Sequence, residues 1–219
     1  MNSENSITTS SSKISHPVTY QFYQDYLDDP VFSEKMTARK HELINKYQLK
    51  IPEDQLIQEY FVELFSWTAL DKWTLEQLDK VIEKYVPKAT LIDPCSGNSF
   101  HTFLFHQFCQ KPVITIDIQP ELNAWIDTIT ADGLQYLQEL DNHQDKVLIL
   151  SWIDFTQFRL PYNLLTNFHG KMVISIGNYR PHNCGDYLQE LQKTFRILQF
   201  YECLMPWGLT EEIGVYLRK

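Results

Sequence analysis

Glycine is scarce in this chain, 7 of 219 residues, which excludes a collagen-like repeat. No apolar run reaches the roughly 18 residues needed to cross a bilayer, and the first residues lack the basic start and hydrophobic stretch of a secretory signal. A soluble protein is expected, with the cytoplasm as the default compartment. Positive charge is also short: Lys+Arg 19 against Asp+Glu 28 leaves a formal net charge of −9. That balance weighs against a protein whose whole surface grips phosphate backbones, so nucleic acid is an unlikely partner on this reading unless a local basic patch exists. The four cysteines, Cys95, Cys109, Cys184 and Cys203, form none of the close pairs that structural zinc sites or redox motifs require. Reduced thiols and no metal are expected.

What is present suffices to fold. At 43% hydrophobic and 14% aromatic residues the chain can bury a sizeable core. Its length allows one main domain plus an attached segment. Residues 1–16, MNSENSITTSSSKISH, are nearly devoid of apolar side chains and read as a disordered tail. Residues 17–86 show helical periodicity, through Phe22, Tyr23, Tyr26 and Leu27 and again through Leu43, Ile44 and Tyr47, broken by Pro30 and Pro52. A third helix is expected through Leu56, Tyr60, Phe61, Leu64 and Phe65, and a fourth from Thr74, with Leu75, Leu78, Val81 and Ile82 on one side. The pattern predicts a packed helical cap, with a substrate-selecting lid as the alternative.

Residues 87–219 change rhythm. Short apolar runs, ATLIDP, VITID, KVLILSW and KMVISIG, are separated by helical patterns such as SFHTFLFHQF and LQYLQEL, the alternation of an α/β sheet. VLIL and MVISI are continuous, as central parallel strands covered on both faces require. The last runs, FRILQFYECL and EEIGVYLRK, flank a Pro/Gly turn too short for a crossover helix and must pair antiparallel.

Ligands of open parallel sheets bind beyond the carboxyl ends of the strands. After the first strand comes Asp93-Pro94-Cys95-Ser96-Gly97-Asn98-Ser99, a loop of small residues opening a helix. Asp117 ends the second strand, where a carboxylate can accept from both ribose hydroxyls. Asp132-Gly133 opens a further helix, and Ser151-Trp152-Ile153-Asp154-Phe155 ends the fourth strand. Taken singly, Asp93 and Gly97 fit an ordinary capped turn and Asp117 a solvated strand end; their order along the chain points further.

This series resembles the class I S-adenosylmethionine-dependent methyltransferases, Rossmann-like proteins with six parallel strands and an antiparallel seventh. The resemblance covers about residues 88–219, with a helical N-terminal segment attached. Asp93 sits at the acid of the family's acid-x-Gly-x-Gly-x-Gly loop, Cys95 at its first glycine, Gly97 at its second and Ser99 at its third; DPCSGNSF is also similar to a form seen in nucleic-acid adenine methyltransferases. The resemblance implies that Asp93, Cys95, Ser96, Gly97 and Asn98 border the methionine part of S-adenosylmethionine, Asp117 and Ile118 its ribose, and Asp132 and Gly133 its adenine, with Ser151 and Trp152 completing the site. At the fourth-strand end the adenine enzymes carry Asn/Asp-Pro-Pro-Tyr/Phe, where this chain has Trp152, Ile153, Asp154 and Phe155. A small group of methyltransferase-like proteins with a Trp-Pro-Pro-Tyr segment is more similar, and VISIGNYRPHNCGD, with Gly177, Asn178, Cys184, Gly185 and Asp186, resembles their next loop.

Asp154 is the expected base or amine acceptor and Phe155 the expected stacking ring. His101 reads as a helix-surface residue, with a catalytic use as the alternative; His182 and Tyr179 are candidate substrate contacts. Cys95 reads as a small loop residue, since no basic neighbour supports a thiolate. PELNAWIDTIT, between the second strand and Asp132, must hold both a helix and a strand, although a crossover takes about 10–12 residues. The helix is expected to be shortened or absent, leaving the adenine edge open, with Trp125 in the core or, with Ile126, forming a wall there. Three functions follow: a methyltransferase acting on a small molecule or protein side chain, an inactive methyltransferase-like binding module, and a nucleic-acid methyltransferase.

Overall fold

Asp71 starts the first described helix: its carboxylate accepts from the Thr74 N–H at 2.7 Å, which caps α1 (Lys72–Tyr85) and sets its start two residues before the expected Thr74. Thr74, Leu75, Leu78, Val81 and Ile82 form its buried face. The structure, a computed structural model, describes residues 15–17, 62, 65–121, 124–153, 159–177, 185–204 and 210–219. The three helices expected before α1 fall almost wholly outside the described residues, as do residues 1–14 of the expected tail.

After α1 the order is β2 (Thr90–Asp93), α2 (Phe100–Cys109), β3 (Val113–Asp117), β4 (Ile129–Thr130), α3 (Gly133–Gln138), β5 (Lys146–Ser151), α4 (Leu160–Asn167), β6 (Met172–Ile176), α5 (Gly185–Thr194), β7 (Phe195–Leu204) and β8 (Thr210–Arg218). Together with β1 (Ser15–Pro17), the strands form one sheet in the order β1-β7-β8-β6-β5-β2-β3-β4. Strands β2 to β6 run parallel, β8 is antiparallel to β6, and β7 is antiparallel to β8, which gives the expected six parallel strands and one reversed. β1 adds to the outer edge, parallel to β7, so Ser15 and His16 lie in the sheet.

Side-chain alternation distributes the core over both faces. Leu91, Val147, Ile149, Met172 and Ile174 face α1 and α2, while Ile92, Leu148, Leu150 and Val173 face α3, α4 and α5. All of β6 is buried, as its continuous apolar run requires. Between β3 and β4 no helix occurs among the described residues. The chain order turns back between β2 and β5, so the crevice at their carboxyl ends is the switch point.

Candidate functional site

The loop from β2 to α2 is held by its own backbone. Ser96 N–H donates to Ile116 O of β3 at 3.0 Å, and Ser99 N–H to Ser96 O at 2.6 Å. Gly97 has φ +52°, the left-handed region that disfavours a side chain; a Cβ there would meet nothing nearer than Glu121 Oε1 at 4.0 Å, so dihedral and not space calls for glycine. Ser99 keeps a left-handed backbone, φ 61°, at the position aligned with the third glycine. Its hydroxyl bonds those of Thr128, at 2.6 Å, and Ser96, at 3.1 Å. Asn98 faces both ways: Oδ1 accepts from Phe100 N–H at 3.1 Å and Nδ2 donates to Phe65 O at 2.7 Å.

A cavity of about 360 Å³ opens beside this loop, within the usual size of small-molecule sites. Of the expected cofactor residues it is lined by Asp93, Cys95, Ser96, Gly97, Asn98, Ser151 and Trp152. Val62, Ser66, Trp67, Phe100, His101 and Glu121 complete the described lining. Sequence reading missed Val62, Ser66 and Trp67 because they come from the segment before α1, which carries no motif and reaches the crevice only by packing.

Asp93 is 2% exposed. Thr102 Oγ1 donates to its Oδ2 at 2.7 Å, while Oδ1 is buried with no hydrogen-bond partner. Burial raises the carboxyl to about 7, against the Thr102 hydrogen bond and the nearby Cys95 amide, which lower it. Cys95 is pushed up to about 12, chiefly by burial and then by the Asp93, Asp117 and Asp132 charges. It is a protonated thiol and no nucleophile. Cys109 and Cys203 are free as well, and Cys184 lies outside the described residues.

His101 corrects the sequence reading. It is 5% exposed, not a helix-surface residue, because the segment before α1 folds over the first turn of α2. Nε2 lies 2.7 Å from Thr68 O and 2.9 Å from Ser66 Oγ, and Nδ1 lies 2.7 Å from Ser151 Oγ. Burial lowers the imidazole to about 4, outweighing the Thr68 hydrogen bond, so the ring is neutral. Trp152 has φ 44°, and its Nε1–H donates to Thr68 Oγ1 at 2.5 Å. Its ring lies so close to Gly177 that a Cβ there would come within 2.8 Å of it.

The other described residues expected at the site are not part of the cavity's described lining. Asp117 Oδ2 accepts from Gly97 N–H at 2.8 Å and Oδ1 from Gln119 N–H at 2.9 Å, so this carboxylate braces the loop. Ile118 is 72% exposed. Asp132 Oδ1 caps α3 through Leu134 N–H and Gln135 N–H, at 2.8 and 3.0 Å. Gly133 is buried against the loop: a Cβ would fall 2.0 Å from Pro94 O. Trp125 packs in the core with Phe65, Phe100 and Phe103, and its backbone N–H donates to Asn98 O at 2.8 Å. Ile126 is half-buried and absent from the lining. Asp154, Phe155, Tyr179 and His182 lie outside the described residues.

No protein-family model matches the chain, and no curated protein matches it in sequence. Among solved structures, an O-methyltransferase from Bacillus cereus in complex with SAH is similar at TM-score 0.50 and 8% identity, covering 78% of this chain and 94% of that one. The fold is Rossmann-like, of the methyltransferase type. TrmN from Thermus thermophilus matches at TM-score 0.46 and 13% identity over 65% of this chain, which spans 48% of that one. A protein named as an rRNA methylase, from Clostridium thermocellum, matches at TM-score 0.43 and 14% identity, covering 69% of this chain and 100% of that one. The expectation that nucleic acid is an unlikely partner finds no support in these comparisons. They add nothing on the nearer resemblance to proteins with a Trp-Pro-Pro-Tyr segment.

Proposed function

We propose that the chain is an S-adenosylmethionine-dependent methyltransferase acting on a small molecule or a protein side chain. The observation that carries this reading is Asp93: a buried carboxylate with one unpartnered oxygen, in the wall of a cavity at the switch point of a methyltransferase-type sheet. A buried acceptor of this kind calls for a donor, and an ammonium group satisfies it best. The residues fit the cofactor. Asp93 Oδ1 would take its amino-acid end, and the Cys95–Asn98 backbone, free of bulky side chains, would border it. Asp117 and Ile118 would flank the ribose, with Asp132 and Gly133 toward the adenine; Ser151 and Trp152 would close the far wall. When bound, S-adenosylmethionine supplies a methyl group on a positively charged sulfur. The protein then has to align the acceptor and hold or remove its proton. Asp154 and Phe155, next along the chain from β5, are the candidates for base and stacking ring.

One observation favours the second reading, a methyltransferase fold kept as a binding module: both Asp117 oxygens are already engaged by the protein's own amides. Each oxygen retains a lone pair, so the first reading stands.

Calorimetric titration with S-adenosylmethionine and S-adenosylhomocysteine tests it. Saturable heat is expected with both, weakened about tenfold in Asp93→Asn, where a charge-assisted hydrogen bond is lost, and weakened also in Asp117→Ala. Absence of heat with the native chain would end the proposal.

A further inference from the structure

At the β5 end of the cavity the donor hydrogens are committed to the protein. Thr68 O can only accept, so the His101 proton is on Nε2, and Nδ1 accepts from the Ser151 hydroxyl. Ser151 Oγ is left with lone pairs only for whatever enters the cavity. The Trp152 N–H is taken by Thr68 Oγ1, so this indole offers its ring and no donor. Trp67, 49% exposed, lies against it with ring centroids 5.7 Å apart and planes at 37°. Among the described lining residues the titratable groups are Asp93, Cys95, His101 and Glu121, of which His101 is neutral, Cys95 protonated and Asp93 raised to about 7. No Lys or Arg occurs among the described lining residues.

Ring faces and a lone-pair oxygen attract N–H donors and cations. An acceptor bearing phosphate or carboxylate would find no cation among these described groups. We infer that the end of the cavity lined by Trp67, Trp152 and Ser151 receives an aliphatic amine, cationic in its free form, with its N–H toward Ser151 Oγ and its charge against the exposed Trp67 ring. This rests on the methyltransferase reading and deepens it: the Asp93 side serves the cofactor and the Trp67 side the methyl acceptor, which binds as the ammonium and gives its proton to solvent at this exposed side before its lone pair takes the methyl group. The same chemistry occurs in a free alkylamine and in a lysine side chain.

The test is saturation-transfer NMR on the protein in complex with S-adenosylhomocysteine, using n-butylammonium and Nα-acetyl-lysine amide, with butyrate and AMP as anionic comparators. Saturable binding of an amine is expected, the tighter of the two amines identifying its source. Trp67→Phe keeps a ring face and should retain the response. Trp67→Ala should weaken it about five- to tenfold, the usual scale for a desolvated cation–ring contact. Calorimetry with S-adenosylhomocysteine first confirms that each variant is folded with an intact cofactor site. The inference is overturned if AMP or butyrate binds as well as the amines, if Trp67→Ala leaves amine binding unchanged, if Trp67→Phe loses as much as Trp67→Ala, or if Trp67→Ala abolishes S-adenosylhomocysteine heat. Lack of that heat in the native chain would remove the methyltransferase reading and this inference together, whereas failure of the amines on the loaded protein removes this inference alone.

Discussion

Ser99 and Gly97 show what a single position can tolerate in the loop after β2. Both have a left-handed backbone, yet only one is glycine. At Ser99 the conformation is held by hydroxyl contacts to Ser96 and Thr128. At Gly97 no side chain is available to do this, and the N–H is needed by Asp117. Gly97→Ala should therefore lower stability by about 1–2 kcal/mol, the cost of a β-carbon at positive φ, with no added clash. Urea denaturation checks this; a loss well above 3 kcal/mol would show that the space beside Gly97 is not open.

At the scale of elements, the site depends on how closely α3 approaches the β2 loop. Asp132 caps α3, and Gly133 lets its first turn lie against Pro94 O. Gly133→Ala would set a Cβ 2.0 Å from that carbonyl, so the helix or the loop must shift. The expected result is a loss of about 1–3 kcal/mol, the range for overpacking, together with weaker S-adenosylhomocysteine binding, because the displaced loop lines the cavity. Unchanged melting and affinity would mean that α3 and the loop move independently. Sequence reading placed Asp132-Gly133 correctly as a helix start but could not show that its glycine serves packing. It also named no helix over Leu160–Asn167, where short length and Pro161 obscure the periodicity.

Across the whole molecule, two buried groups in the cavity wall oppose one another as pH changes. Asp93, raised from 3.8 to about 7, holds a proton in the fold that the unfolded chain has lost, so its contribution is lost as pH rises through that window. His101, lowered from 6.5 to about 4, binds its proton more readily when unfolded, so its contribution is lost as pH falls from 6.5 to 4. Relative to the native chain, Asp93→Asn should gain stability as pH rises from 4 to 7, and His101→Gln should lose it from 4 to 6.5. Each difference is of order 3 kcal/mol across its window. Denaturation at a series of pH values reads both, and parallel curves for native and variant chains would show that the groups titrate as they do in water.

Much of the fold was legible beforehand because strand alternation and continuous apolar runs follow from local chemistry. VLIL and MVISI announced central strands, the C-terminal runs announced an antiparallel pair, and the loop from Asp93 to Ser99 marked the crevice. Tertiary packing decided the rest. Phe65–Thr68 is brought over the cavity by Asn98, His101 and Trp152, contacts that span more than thirty positions along the chain and have no local signal. That packing buries His101, commits the Ser151 hydroxyl and takes up the Trp152 indole N–H. Residue type and spacing determine which groups end each strand; only the folded chain determines which of their hydrogens and lone pairs remain for a ligand, because that depends on neighbours distant in sequence.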